Sequence, residues 1–323
     1  MKKILIFAIA LGAFAARPSG AQDTWPSKPV RVIVPFSLGG ATDLVARILG
    51  PALADTLGQP FIVENRPGAS GNIGVEIVAR SAPDGHTLLV GNISTNAINP
   101  SGFAGKLAFD PVKDLAPVTL LVSIPTLLVT GAAFPPGTVE ELIEYARKRP
   151  GELNYSNPLG SYSHMDTLDL SSKTGIKVVL IPSKGAGSAI TSIINGEIHF
   201  SFLNMATVMP HVKAGRMKAL ATTSRARLEE LPDVPTMAEA GYPGIGSENW
   251  NGFFLPSKTP RRVVNKLYAA TILVMQRPAV EKAFANAALP VSLSKSPEDF
   301  HEFLDAEIKR WARIIRDNDV KLE

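Results

Sequence analysis

Apolar residues fall in two rhythms along this chain, short unbroken runs that read as buried strands and i, i+3, i+4 stripes that read as helices, and the two alternate. Val30 to Phe36 is the first run, and it breaks at the turn Ser37-Leu38-Gly39-Gly40-Ala41-Thr42-Asp43. Leu44, Val45, Ile48, Leu49 and Leu53 then share one face of a helix predicted over 42–57, with Gly58 as its stop. Phe61-Ile62-Val63 predicts a short strand, 65–71 a turn, and Ile73, Val75, Ile77 and Val78 a helix over 72–81. Leu88-Leu89-Val90 predicts a strand that runs into a turn over 91–96. Such alternation predicts a mostly parallel sheet with helical crossovers, in which ligands sit beyond the carboxyl ends of the strands.

The run over 118–130 is extended but interrupted by Ser123 and Pro125, and the chain is expected to cross into a second unit near Pro125. Phe134-Pro135-Pro136-Gly137 turns into a helix over 139–149. A second set follows in the same order: a strand at 153–155, a turn at 157–161, a helix from Ser163, a strand at 178–181, a helix at 188–194 and a strand at 199–203. Trp250 to Pro256 reads as a return strand, and the helices from 260 onward are expected to close back on the first unit. The last of them carries Phe300, Phe303, Leu304, Ile308, Trp311, Ile314 and Ile315 on one face. The expectation is an α/β chain of two lobes, 22–124 plus 250–323 and 125–249.

One junction recurs in both units. The first strand ends in Gly39-Gly40 and the strand at 178–181 ends in Ser183-Lys184-Gly185-Ala186-Gly187-Ser188, each opening a helix. Free N–H groups and the positive end of a helix dipole suit an anion. Taken singly, such turns read first as the tight bends and C-caps that glycine supplies anywhere; their recurrence at strand ends in both lobes favours the anion.

The start of the chain carries Met1-Lys2-Lys3, an apolar run from Ile4 to Ala16, and small residues Ser19 and Ala21, the order of a secretory leader cut after Ala21. The run is shorter than the ~20 residues a membrane-spanning helix needs; the alternative is a buried N-terminal helix. The mature chain of 302 residues is expected in the periplasm. Lys2, Lys3 and Arg17 lie in the leader and no acidic residue does, which leaves 30 basic against 29 acidic side chains and removes most of the formal +4. No basic cluster interleaved with aromatics remains for a nucleic acid. Cysteine is absent, which excludes disulfides and thiolate metal sites.

Catalytic constellations are sparse. His86, His164, His199, His211 and His301 are dispersed without metal-ligand spacing. Gly68-Ala69-Ser70-Gly71-Asn72 lacks the last glycine of a nucleophile elbow, Gly185-Ala186-Gly187 lacks the third glycine of a dinucleotide fingerprint, and Gly39-Gly40 lacks a following Gly-Lys-Ser/Thr. Ser161, Ser163 and His164 are the nearest approach to a nucleophile and base, although adjacent residues rarely reach that geometry; helix capping or ligand hydrogen bonding is the other reading. No cofactor is expected.

The segment Trp25-Pro26-Ser27-Lys28-Pro29-Val30-Arg31-Val32-Ile33-Val34-Pro35-Phe36 resembles the mature start of Bug-type periplasmic binding proteins, the extracytoplasmic receptors of the tripartite tricarboxylate transporter system. The likeness continues through Gly39-Gly40-Ala41-Thr42-Asp43, Val63-Glu64-Asn65-Arg66-Pro67-Gly68-Ala69, Gly71-Asn72-Ile73-Gly74, Ala82-Pro83-Asp84-Gly85, Asp110-Pro111-Val112-Lys113-Asp114 and Leu231-Pro232-Asp233-Val234-Pro235-Thr236. The resemblance implies a two-lobed Venus-flytrap fold of type II character, with two crossing strands as hinge, that closes over a small carboxylate. By position it implies ligand contacts at Phe36, Ser37, Leu38, Gly39, Gly40, Thr42, Ala69, Ser70, Ser94, Thr95, Asn96, Ser161, Ser163, Gly185, Ala186, Gly187 and Asn204. It also implies a monomer with membrane permease subunits as partners. Leu203-Asn204 stands where the family commonly has Asp-Asn, which removes a partner for a ligand amine, and Leu38, Leu159 and Leu203 suggest a more apolar cleft. An exported serine-dependent hydrolase and a sensing subunit for a membrane kinase are the other classes.

Overall fold

The structure, a computed structural model, describes residues 25–183, 186–320 and 322. The proposed leader and its cut after Ala21 therefore lie outside the described residues, as do Lys184 and Gly185. The first half of the chain builds β1 (Val30–Val34), α1 (Ala41–Leu57), β2 (Phe61–Asn65), α2 (Asn72–Ala79), β3 (Thr87–Asn92), α3 (Asn99–Gly102), β4 (Leu115–Gly131) and α4 (Val139–Arg147). It continues with β5 (Leu153–Tyr155), α5 (Tyr162–Thr174), β6 (Val178–Leu180), α6 (Ala186–Ile194), β7 (Phe200–Asn204), α7 (Met205–Lys213), β8 (Met217–Thr222) and β9 (Glu248–Pro256). Three helices finish it: α8 (Arg261–Met275), α9 (Pro278–Asn286) and α10 (Pro297–Asp317).

The strands run in the order β2-β1-β3-β9-β4-β7-β5-β6, with β8 on β4. β1 pairs in parallel with β2 and β3, and β5 with β6 and β7, as the alternating pattern predicts. The 17-residue strand β4 belongs to both halves of the sheet. Its first part runs antiparallel to β9 as far as Pro125 opposite Glu248, and from Thr126 onward it pairs with β7 and then also β8. Ser123 and Pro125 do not interrupt it, contrary to the sequence expectation. Pro125 lacks an N–H but falls at the last β9 pair, where the ladder changes partners. The Ser123 N–H turns aside to the Pro290 carbonyl.

Each half carries apolar cores on both faces of its sheet. β1, β3 and β4 bury Val30, Val32, Leu88 and Leu121 under α1, α8 and α9, and the other face buries Ile33, Leu89 and Phe254 under α2 and α10. Phe300, Leu304, Trp311, Ile314 and Ile315 of α10 are buried there as the stripe predicts, with Phe303 and Ile308 partly buried. In the second half, Leu142, Ile143, Phe200 and Phe202 form one core and Leu127, Ile190, Leu203 and Met205 the other. Helix starts follow local chemistry: Thr138 accepts the Glu141 N–H while Glu141 accepts the Gly137 N–H, and Ser296 accepts the Asp299 N–H.

Four elements differ from expectation. The stretch expected as a turn over 91–96 continues β3 to Asn92 and then coils into a π-helical turn, Ser94–Ile98. Helix α4 ends at Arg147 because the chain beyond it turns, with the Arg149 guanidinium 3.9 Å above the Tyr145 ring. Helix α7 and strand β8 were not foreseen: Pro210 lies inside the first and masks its period.

Candidate functional site

The first wall begins where β1 ends. Asp43 of α1 accepts the Gly39 N–H at 3.0 Å, both of its oxygens take the Arg47 Nε, and its Oδ1 accepts Asn65 Nδ2 at 2.9 Å. Asn65 Nδ2 also donates to the Phe36 carbonyl, so one carboxylate ties the turn, α1 and the end of β2 together. Burial would raise the Asp43 carboxyl, but the bonds from Arg47, Gly39 and Asn65 outweigh it and hold it below the ordinary carboxylate range. The Gly39 N–H is thereby already engaged within the protein. Ser37, Leu38, Gly39 and Gly40 are exposed, Leu38 at 71%. Gly40 caps α1 without a side-chain bond, so the first amides of that helix have no partner from a capping side chain. The Thr42 hydroxyl is buried and donates to Asn251 Oδ1 on β9 at 2.7 Å.

Next to this turn, Ala69 and Ser70 both adopt left-handed backbone, at φ +46° and +56°. Such conformations cost ~1–3 kcal/mol each and are kept where neighbours over-determine them. Asn99 is that neighbour, donating to the Ser70 carbonyl at 3.0 Å and to Asn72 Oδ1 at 2.9 Å. Gly71 has no room for a side chain, since a Cβ there would meet Thr95 Cγ2 at 2.5 Å and Phe36 Cζ at 3.3 Å. Beyond β3, Asn92 Oδ1 accepts the Ser94 and Thr95 N–H groups, and the Thr95 hydroxyl donates to Asn96 Oδ1 at 2.7 Å. Thr95 and Asn96 are buried beneath this surface. The amide nitrogens of Asn96 and Asn251 are buried without a hydrogen-bond partner, two donors that water or a ligand group would satisfy.

The second wall is the turn before α5. Ser161 caps that helix by accepting the His164 N–H at 3.2 Å, and the Gly160 N–H donates to His164 Nδ1 at 3.1 Å. Burial pushes the His164 imidazole below its usual range. Ser161 and His164 are thus engaged in helix capping and turn closure, the roles set against catalysis from the sequence. Asn204 caps α7 through the Ala206 N–H at 2.9 Å. Burial pushes the Tyr162 phenol up to about 12, against the pull of the neighbouring Ser163 and Asn204 side chains. Tyr162, the first residue of α5, stands just before the helix expected from Ser163 and is not among the residues the sequence singles out. Gly187 lies in the first turn of α6 with open space where a Cβ would stand. Ala186 opens that helix. Leu203 is a correction: at 4% exposure it packs in the second-half core, because its β7 position turns it inward beside Leu127.

Phe36, Ser70, Ser94, Asn99 and Phe103 from the first half face Pro158, Leu159, Gly160 and Ser161 from the second across a cavity of about 540 Å³, with Leu322 completing the lining. Five of the sequence-singled residues, Phe36, Ser70, Ser94, Leu159 and Ser161, meet there. Ser37, Leu38, Gly39, Gly40, Thr42, Ala69, Thr95, Asn96, Ser163, Gly187 and Asn204 do not line it. No charged side chain is in the lining. A larger cavity of about 830 Å³ between β4, β9 and α10 contains Glu248, Glu307, Arg310 and Arg225 and none of the sequence-singled residues. Among the described residues no cluster of His, Cys, Asp and Glu could hold a metal ion, and no helix is long and apolar enough to cross a membrane.

This arrangement has close counterparts. The family model described as "Tripartite tricarboxylate transporter family receptor" matches residues 45–320. Protein BugT of Bordetella pertussis (strain Tohama I) is 36% identical over 98% of this chain and 96% of its own. Among solved structures, R. palustris Rpa4515 with adipate is similar at 32% identity and a TM-score of 0.78, over 92% of this chain and 99% of its own. MatC (Rpa3494) from Rhodopseudomonas palustris with bound malate is similar at 34% identity and a TM-score of 0.75, over 90% of this chain and all of its own. These relatives are solute-binding receptors rather than enzymes, and their fold is the two-lobed one described above. The chain belongs to the tripartite tricarboxylate transporter receptor family.

Proposed function

We propose that this protein is an extracytoplasmic receptor that captures a small carboxylate between its lobes and delivers it to the membrane permease subunits of a tripartite tricarboxylate-type transporter. The observation that carries this reading is the interlobe cavity, whose polar lining is hydroxyl and amide from both lobes and whose lining includes no charged side chain. Hydroxyls and helix N-termini hold an anion by directed dipoles, and contacts to both lobes favour the closed state. The adipate and malate carried by two similar proteins belong to the same chemical class.

In this reading residues 1–21 are a leader, the lobes are 22–124 plus 250–323 and 125–249, and the mature protein works as a periplasmic monomer. By position the second lobe offers the segment 184–188, of which 184 and 185 lie outside the described residues, and the first lobe offers the turn from Phe36 to Thr42 apart from the Gly39 N–H, which Asp43 already holds. The lining includes no carboxylate to hold a ligand amine, so the ligand is an acid without an amino group; a normal affinity for aspartate or glutamate would sink that assignment. A thermal-shift screen of mature protein, refolded to strip bound solute, tests the whole reading against mono-, di- and tricarboxylates, aromatic acids and amino acids. An acid at ~100 times its dissociation constant stabilises the fold by about 2.7 kcal/mol. A selective rise in Tm with one acid class is the expected result, and silence across the panel refutes it.

A further inference from the structure

The cavity has one lining residue that belongs to neither wall. Leu322 lies beyond α10, yet its side chain is only 8% exposed and joins the apolar core that contains Ile98, Phe103, Leu304 and Ile315. Its carbonyl accepts Lys106 Nζ at 3.0 Å, which anchors this stretch of chain to the first lobe. Its two methyl groups rest on glycines from opposite sides of the cavity. A Cβ on Gly160, in the second-lobe turn, would come within 2.6 Å of Leu322 Cδ2, and a Cβ on Gly102, at the end of α3 in the first lobe, would collide with Leu322 Cδ1. An isobutyl group thus fits between two bare backbones because neither glycine has a side chain.

We propose that Leu322 is the end wall of the solute cavity and sets the length of acid that fits between the lobes. The inference rests on the carboxylate reading above and deepens it. The polar lining is Ser70, Ser94, Asn99 and Ser161, whereas Leu322 and Phe103 are apolar. Hydrocarbon of the ligand therefore meets Leu322, and carboxylate oxygens meet the hydroxyls. A packed apolar wall discriminates by shape: each methylene that must be squeezed in or left against a void changes affinity by about tenfold or more. Because the same side chain touches both lobes, its size also sets how closely Gly102 and Gly160 approach.

The test is isothermal titration of the mature wild-type protein and of Leu322→Ala with straight-chain α,ω-dicarboxylates from malonate to sebacate. Leu322→Ala removes three side-chain carbons, so the preferred diacid lengthens by about two methylenes, and affinity for the acid the wild type prefers falls about tenfold. Gly102→Ala is the second variant. It forces a methyl against Leu322 and weakens every diacid about tenfold, and adding Leu322→Ala to it restores binding. An unchanged length preference in Leu322→Ala, or a Gly102→Ala loss that Leu322→Ala does not relieve, overturns the end wall while leaving the carboxylate receptor intact. A wild type that binds no diacid in the series, nor any acid in the thermal screen, overturns the underlying reading and the end wall with it.

Discussion

The two cavities of this molecule treat charge in opposite ways. The interlobe cavity is lined by hydroxyls, amides, glycine and hydrocarbon, with no charged side chain. The cavity between β4, β9 and α10 is lined by Glu248, Glu307, Arg310 and other ionisable groups, and beside it lies Asp166 of α5, fully buried. Asp166 Oδ2 accepts both the N–H and the hydroxyl of Ser247, and its Oδ1 lies 3.5 Å from Arg310. Arg310 also donates to the Gly246 carbonyl at 2.7 Å, while the indoles of Trp250 and Trp311 both donate to Glu307. These bonds join α5 of the second lobe, α10 of the first and the segment that enters the return strand β9. The lesson is a division of labour: charged groups tie α5, α10 and the segment before β9 together, and only uncharged groups line the cavity between the two halves. A fixed cation in the cleft would bind any anion; dipoles and shape leave room for selection.

The largest effect expected from breaking this division is at Arg310. Above about pH 8, where Asp166 is ionised, Arg310→Ala leaves it buried without its counter-charge and costs about 3 kcal/mol, measured by urea unfolding of the unliganded protein. A loss within the error of a surface substitution would mean that the network is not structural.

pH gives the next test. Burial pushes the Asp166 carboxyl up to about 7, against the pull of Arg310 and Ser247 and with Glu307 and Asp169 adding repulsion. A raised acid favours the folded state while it stays protonated. Its contribution is complete below the ordinary value of 3.8 and is lost as pH rises through about 7. Wild-type stability should therefore fall between pH 4 and 7 by on the order of 1 kcal/mol per pH unit from this group, and Asp166→Asn should flatten that slope. Parallel unfolding profiles for the two proteins across this range would rule the assignment out.

In the cleft, Ser94→Ala and Ser70→Ala each remove one hydroxyl and should weaken acid binding about tenfold with Tm of the unliganded protein unchanged. Ser161→Ala should weaken binding and also lower Tm, because its hydroxyl caps α5 as well and its loss costs about 1 kcal/mol. Equal stability of Ser161→Ala and wild type would separate that serine from the helix start.

The smallest effect lies outside both cavities. Glu64 is held down to about 2 by hydrogen bonds from Arg31 and then Arg66. A depressed acid stabilises above its ordinary value of 4.5 and loses that contribution as pH falls through about 2. The pair is half exposed and solvent-screened, so Glu64→Gln should cost less than about 1 kcal/mol at neutral pH and nothing near pH 2.

Much of this architecture is written locally. The run at 30–36, the stripe at 44–53 and the recurring strand–turn–helix order are decided by period and glycine placement, and the structure contains each of them. Local pattern failed where the partner supplies the reason. Pro125 looked like a break because a lone strand would lose a donor there, yet its ladder is changing neighbours at that residue. Pro210 hid a helix that β7, β8 and the packing around Met205 and Val208 hold. Gly39 looked like a free anion donor because sequence does not show that Asp43, four residues later, turns back to take its N–H.

The sequence by itself determined the α/β alternation, the near-neutral charge beyond the proposed leader, the absence of thiol chemistry and the placement of small polar residues at strand ends, because these follow from composition and from contacts within a few residues. Only the tertiary structure decided that Ser70, Ser94 and Ser161 share one cavity, that Leu203 faces a core, that Asp166 meets Arg310 144 residues along the chain, and that Leu322 sits between Gly102 and Gly160. Those are contacts between residues far apart in sequence, and their geometry is fixed by how two sheets sharing one strand pack their helices, which no local period records.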